Sequence, residues 1–383
     1  APVSGGTASG CWVVVNTALA AFSRLAACSA GIREHSQGVT KGSISILLLS
    51  AQNRDGGPYG NMLLDSTAGG GGGHDDHDGL DASGDFPVAR PSISNVENAE
   101  AAGPLLYLYR RFVPDTGGAG RMRGGATTGL AITPHDVDQM HAVLLGHGSG
   151  VPNSVGMFGG LEGSCNMNFL RPGQDGDGSL VRDVYDAATL QALGETENVG
   201  PKPGHMLLGP GDVFAFAFQG GGGYGDALLR DPDSVLTDVE AGFVTEEAAE
   251  HLYGVVIAGG AVDRDATSAR RTAIRTERLG GSAPAAEAAV VAAGDGELGI
   301  GPSLKRDAGG DLVCGCGQGL GPASGNWKDH AVARMVAPEE HGPHIVLHEE
   351  LSLREHACPA CGTLLEAEVI RGDAPSLHSI ELW

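Results

Sequence analysis

The chain has 383 residues, 41% of them hydrophobic, enough for a large core and, by length, two domains. Its 24 Lys and Arg against 47 Asp and Glu give a formal net charge of −23, which argues against nucleic acid and anionic membrane surfaces as partners. The 63 glycines are about twice the usual share, but no G-X-Y period runs through them, so they point to turns and loops in a β-rich chain.

No stretch of about 18 apolar residues is read, so no membrane span is expected. The opening APVSGGTASGCWVVV lacks the basic flank of a signal peptide. Ala1 stands where Met would, so the expectation is a processed chain or a true start further upstream. Residues 11–30 (CWVVVNTALAAFSRLAACSA) read as an Ala-rich helix ending at Gly31. A Ser36-Gln37-Gly38 turn follows, and 43–50 (SISILLLS) read as a buried strand.

The segment Asp65–Asp85 is compositionally unusual. Gly69–Gly73 lead into His74, Asp75, Asp76, His77 and Asp78. Two imidazoles and three carboxylates suit Mn, Fe or Zn. The alternative is a solvated loop whose charges keep it in water. In an extended chain neighbouring side chains point opposite ways, so His74, Asp76 and Asp78 are expected on one side and Asp75 and His77 on the other. Residues 105–113 read as a strand, and Pro114–Arg121 as a glycine turn. Arg121 and Arg123 are candidates either for anion contacts or for pinning that turn to backbone carbonyls. His135, Asp136, Asp138, His141 and His147 are spaced irregularly for one helix face and read as surface or core residues. Phe158-Gly159-Gly160 marks a further turn.

Residues 213–218 alternate Val or Ala with Phe between Gly211 and Gly220, the pattern of a strand buried on both faces. Gly220–Gly223, Tyr224, Gly225 and Asp226 follow, where missing Cβ atoms permit positive φ or close backbone approach. Asp231-Pro232 starts a helix, Gly242 suits its end, and Thr245 with Glu246 and Glu247 opens another. Strand, glycine loop, acid and helix make either a site or a tight turn. Residues 264–300 read as a polar strand or helix and then a linker. The composition shift at Gly301 divides the chain into 1–300 and 301–383.

Four of the seven cysteines form two short pairs, Cys314-Gly315-Cys316 and Cys358-Pro359-Ala360-Cys361. Two such knuckles suit a closed tetrahedral Cys₄ zinc site of structural role, with an Fe–S centre as the alternative. An odd cysteine count with paired knuckles points to a reducing cytoplasm rather than a disulfide framework. No G-x-x-x-x-G-K-[ST] loop and no G-x-S-x-G elbow is present. The expected fold class is α+β: a glycine-rich, β-rich mixed core with peripheral helices and a small C-terminal zinc-ribbon-like β module.

The GGGGYGD of Gly220–Asp226, Asp231-Pro232, Gly242-Phe243-Val244-Thr245 and Tyr253-Gly254-Val255-Val256 together resemble the C-terminal region of the hydantoinase B family of hydantoinase, 5-oxoprolinase and acetone or acetophenone carboxylase subunits. Pro114–Gly125 is a second match, and Asp78-Gly79 fits the end of that family's glycine-rich loop; the extra His and Asp residues before it depart from the family pattern. Gly325–Ala331 and Cys358–Leu382 resemble the small gamma subunit of acetone carboxylases, which carries cysteine-bound zinc. The resemblance implies a subunit of a heteromeric ATP-dependent ketone carboxylase, fixing bicarbonate through phosphorylated intermediates. The alternatives are a subunit of an ATP-dependent cyclic amide hydrolase or a non-catalytic scaffold. It implies a hydantoinase-A-like partner that handles ATP, with Mg or Mn there or at the interface. It also implies a further chain supplying an N-terminal half of the hydantoinase B fold, where the metal-binding His and Asp residues lie, so this chain is not expected to be active alone. The small-molecule substrate would be a ketone or a cyclic amide. Under this reading His74, His77, Asp78 and Asp226 are the catalytic candidates. Gly72, Gly73, Gly222, Gly223, Tyr224 and Arg121 are the candidates for holding substrate or phosphate oxygens through clustered donors. Cys314, Cys316, Cys358 and Cys361 are the metal ligands.

Overall fold

A computed structural model describes residues 4–42, 45–63, 68–84, 93–173 and 195–382, with side chains from Gly10 onward. Residues 43–44 of the first expected strand, and 65–67 and 85 of the His/Asp-rich loop, lie outside the described residues. The fold class is α+β, as expected.

Helix α1 (Ser4–Ala27) starts earlier than the sequence suggests and stops before Gly31. Trp12, Leu19, Ser23 and Ala26 recur on one face and are buried, while Val13, Val14, Phe22 and Leu25 remain exposed. Its 18 residues Gly10–Ala27 have a mean hydropathy of 1.3, long and apolar enough to cross a membrane by length and composition. That corrects the expectation that no such stretch exists. Arg24 nonetheless leaves the buried stripe to pair with Glu366 at 3.1 Å, tying the helix to the C-terminal part of the chain.

Strands β1 (Ile46–Gln52), β2 (Pro58–Leu63), β3 (Leu105–Phe112), β4 (Thr128–Pro134), β5 (Met140–Leu145), β6 (Met167–Arg171), β7 (Glu197–Asn198), β8 (His205–Leu208) and β9 (Val213–Ala217) form two antiparallel sheets, with α2 (Val96–Ala102) preceding β3. Their orders are β2-β1-β5-β8 and β3-β4-β9-β6-β7. Period-two alternation turns Leu47, Leu49, Met140, Ala142, Leu144, Met206 and Leu208 inward. They meet Leu130, Ile132, Phe214 and Phe216 of the second sheet in one core, so the sheets form a sandwich. The sequence expectation for β9 holds: all five residues are buried, its phenylalanines in the sandwich and Val213 and Ala215 on the far face beside Ala131.

The chain then runs through α3 (Pro232–Glu240), α4 (Glu246–Leu252), the short hairpin β10 (Ile257–Ala258) and β11 (Ala261–Val262), and α5 (Arg264–Arg278). Asp231 caps α3 by accepting from the Asp233 amide, and Gly242 at φ 77° ends it. Thr245 caps α4 from its hydroxyl oxygen. The last 80 or so residues form two small antiparallel sheets. One is β12 (Leu298–Ile300), β13 (Leu304–Arg306), β14 (Asp311–Cys314) and β15 (Gly319–Pro322). The other is β16 (Val332–Val336), β17 (Leu351–Ala357) and β18 (Leu364–Arg371). The first of these sheets begins at Leu298, ahead of the composition shift at Gly301. One apolar cluster runs without a break from Leu19, Val39, Phe158 and Tyr224 into Ile300, Trp327 and the cysteines.

Candidate functional site

Four glycine-rich segments, 69–73, 117–125, 156–163 and 220–225, pack backbone against backbone. A Cβ on Gly221 would strike the Gly71 carbonyl, one on Gly72 the Gly38 carbonyl, and one on Gly223 the Ala119 carbonyl. Contact this close requires glycine. The amides are consumed by the same packing. Gly73 donates to Gly222 at 2.8 Å, Gly222 to Val39 at 2.9 Å, Gly223 to Leu161 at 2.9 Å and Tyr224 to Met122 at 2.9 Å. Of the candidates for holding substrate or phosphate oxygens, the Gly73, Gly222, Gly223 and Tyr224 amides already have carbonyl partners, and Gly72 is buried among them. The Tyr224 ring is fully buried, its hydroxyl bonded to Ser36 Oγ at 3.0 Å, and burial pushes its pKa up.

The His/Asp-rich loop emerges from this stack. It is bent, not extended, because the His74 amide donates to the His77 carbonyl at 2.8 Å. His74 and His77 therefore stack at 4.1 Å between centroids, which corrects the alternating arrangement read from the sequence. His77 is exposed, and its Nδ1 lies 2.6 Å from Asp76. Burial and then the neighbouring His77 lower the pKa of His74. Asp78 turns the other way. It accepts from the Arg123 amide at 2.7 Å and takes both arms of Arg230 at 2.6 Å. Burial pushes its carboxyl up, but the Arg230 hydrogen bond and charge outweigh that and hold it below the usual carboxylate range.

Arg230 also reaches Asp238 at 2.7 Å, and Arg123 bridges Asp238 at 3.3 Å and Asp81 at 3.0 Å. The result is a chain of alternating charge in which Arg123, Arg230 and Asp238 are buried and Asp78 and Asp81 are partly exposed. A cavity of about 460 Å³ opens onto it, bordered by His77, Asp78, Arg121, Arg230, Ser234 and Asp238. Arg121 donates to the Asp75 carbonyl and so holds the loop at the cavity edge. The Nε atoms of Arg121 and Arg230 are buried there without hydrogen-bond partners. Arg230 and Asp238 were not singled out from the sequence. The available signal was Asp238, an acid one turn from Val235 on the apolar face of α3.

Asp226, by contrast, is fully buried and away from this cavity. Arg278 of α5 donates to both its oxygens at 3.1 and 3.0 Å, and the Leu228 and Leu364 amides donate at 3.1 and 3.0 Å. These four hydrogen bonds engage both oxygens of its carboxylate. The carboxylate joins the glycine loop, α5 and β18.

The four cysteines converge as their spacing predicts. Cys314 and Cys361 sulfurs lie 3.8 Å apart, and those of Cys316 and Cys358 3.7 Å apart. A tetrahedral zinc with Zn–S of about 2.3 Å sets S–S edges of about 3.8 Å, so the donor set fits one such ion. Gly317 and Gly362, both at positive φ, turn the two knuckles. Among the described residues this is the group of three or more potential ligands whose atoms meet within 4.8 Å; the His74–Asp78 loop does not form one. Nearby, Glu162 of the glycine-rich body and Glu355 of β17 clasp the buried His341, at 2.8 Å to Nδ1 and 3.3 Å to Nε2. Burial opposes the charge on His341, but the two carboxylates raise its pKa to about 9.

A family model described as hydantoinase B/oxoprolinase matches residues 1–227, and one described as acetone carboxylase gamma subunit matches 306–382. The chain is 27% identical to the acetone carboxylase alpha subunit of Xanthobacter autotrophicus over 55% of its own length and 29% of the relative's. It is 31% identical to the acetophenone carboxylase delta subunit of Aromatoleum aromaticum over 59% and 35%, and 33% identical to caprolactamase subunit beta of Pseudomonas jessenii over 56% and 34%. The chain thus spans about a third of the length of the curated relatives it matches. A nucleotide-free acetone carboxylase structure shares its fold at a TM-score of 0.57 and 23% identity, over 66% of this chain and 36% of the other. An ATP-dependent caprolactamase structure from Pseudomonas jessenii aligns at 0.51 and 26%, over 61% and 38%.

Proposed function

Because the chain belongs to the hydantoinase B/oxoprolinase family, we propose that it serves as a subunit of an ATP-dependent ketone carboxylase of the acetone or acetophenone type. The observation that carries this reading is the fusion in one chain of a hydantoinase-B-like body with an acetone-carboxylase-gamma-like tail. The tail shares its apolar core with the body, which supports one working unit rather than a loose appendage. In this reading bicarbonate is fixed through phosphorylated intermediates. ATP, with Mg or Mn, is handled by a hydantoinase-A-like partner. The cysteines hold a structural zinc, and a metal-bound rather than disulfide-bonded cysteine set fits a cytoplasmic complex.

This chain's share of the chemistry lies at the cavity beside the His/Asp-rich loop. His77, exposed and oriented by Asp76, can exchange a proton with a bound molecule. Asp78 and Asp238 hold Arg230 in place and balance its charge, so Arg121 at the cavity edge is the cation placed to face negative charge on a bound molecule. His74 supports the His77 ring by stacking. Asp226 and the glycines keep the framework rigid.

The second reading, a subunit of an ATP-dependent cyclic amide hydrolase, is favoured by the 33% identity to a caprolactamase subunit. ATP turnover by the native complex, purified with its partner chains, separates the two. Stimulation by a ketone together with bicarbonate, and not by cyclic amides, is the expected result. Stimulation by cyclic amides alone would replace the carboxylase with the hydrolase.

A further inference from the structure

A second cavity, of about 810 Å³, lies behind the 228–232 segment, between α5 and residues 283–288. Arg264, Arg271 and Arg275 are spaced seven and four residues apart on α5, so one helical face brings three guanidiniums to it. In a chain of net charge −23 this is a local island of positive charge. It also falls outside both ranges matched by family models, 1–227 and 306–382.

The three arginines are not equally satisfied. Arg264 pairs with Asp233 at 2.6 Å on the exposed rim. Arg271 donates to the Tyr253 carbonyl at 3.0 Å and the Arg230 carbonyl at 2.7 Å, neutral acceptors that hold it without balancing its charge. Arg275 reaches the Leu228 carbonyl at a long 3.5 Å, and its Nε is buried without a hydrogen-bond partner. Burial, and next the charge of Arg275, lower the pKa of Arg271. Burial lowers that of Arg275 too, against the pull of Asp226, with Arg278 adding repulsion and Cys361 and the exposed Glu287 weaker attractions. Ser268 adds a hydroxyl to the wall, and Leu228, Leu229 and Pro232 add apolar surface.

We propose that this cavity binds a phosphoryl-bearing small molecule, with its oxygens on Arg271, Arg275 and Ser268 and its remaining atoms against Leu228, Leu229 and Pro232. A guanidinium fork matches two phosphoryl oxygens at once, and a multiply charged anion would add to the partial balance that Asp226 and Asp231 give two adjacent cations. The inference is independent of the carboxylase reading, since of the first cavity's residues it draws only on the shared neighbour Leu229 and the Arg230 backbone carbonyl that holds Arg271.

Titration calorimetry of the full chain with pyrophosphate tests it, with citrate as the carboxylate control. Saturable pyrophosphate binding is expected, weakened about tenfold or more in Arg275→Ala and unchanged in Arg371→Ala, a distant exposed arginine. A melting curve establishes that each variant is folded. If Arg275→Ala does not fold, Arg275→Lys carries the test, because it keeps the charge and removes the fork: weakened binding supports the proposal. The absence of saturable binding, an undiminished affinity in the folded Arg275 variant, or an equal loss in Arg371→Ala would overturn it. Citrate binding as tightly as pyrophosphate would overturn the phosphoryl assignment.

Discussion

Asp226 and Asp78 are both carboxylates beside glycine loops, and only their neighbours tell them apart. Asp226 is enclosed by Arg278 and two backbone amides. Replacing it with Ala leaves Arg278 buried and unpaired, and is expected to cost about 3–5 kcal/mol of stability. Urea unfolding of the isolated chain measures this. A stable Asp226→Ala chain whose complex loses turnover would instead make Asp226 a catalytic residue. His341 gives a pH signature at the same scale. Its folded pKa, about 9, lies above the ordinary value of 6.5, so its protonated form is the stabilised one. That contribution is complete below about pH 6.5 and is lost as pH rises towards about 9. The melting temperature is expected to fall across that window in the native chain and to lose this component in His341→Gln. An identical pH profile for both chains would contradict the assignment.

At the scale of elements, the glycine segments behave as a packed unit. Gly221 and Gly242 separate the two uses of glycine. A methyl group on Gly221 would meet the Gly71 backbone, which cannot move aside as a side chain can; one on Gly242 meets open space but a φ of 77°. Gly221→Ala is expected to cost about 3 kcal/mol or more, and Gly242→Ala about 1–2 kcal/mol. Equal, mild losses in denaturant unfolding would show that the stack tolerates a Cβ. The sequence carried the elements well where their signal is local. The capped starts of α3 and α4, the doubly buried β9 and the cysteine knuckles all depend on residues within a few positions of one another. It did not carry the use of Gly222 or Gly223, because their partners Val39 and Leu161 are distant in the chain. The same limit hid Arg230 and Arg278, whose charges are explained only by Asp78 and Asp226 once the chain has folded.

At the scale of the whole molecule, the four-cysteine tail and the glycine-rich body share one core. Cys358 and Cys361 belong to the same apolar cluster as Tyr224 and Phe158, and the Leu364 amide three residues beyond the second knuckle reaches Asp226. Loss of the ion should therefore not stop at the tail. Cys358→Ser is expected to release bound zinc and to destabilise the chain by on the order of several kcal/mol, because metal binding and folding share one free energy. Hydrogen exchange locates the damage. Faster exchange at the Gly221, Gly222 and Gly223 amides, which lie in the body, is expected alongside loss of zinc by atomic emission. Full zinc stoichiometry in Cys358→Ser would remove Cys358 from the ligand set. Zinc loss with unchanged protection of those amides would show that body and tail fold separately. Only the coupled outcome would make the tail a brace for the glycine stack, and through Asp78 and Arg230 for the cavity beside His77.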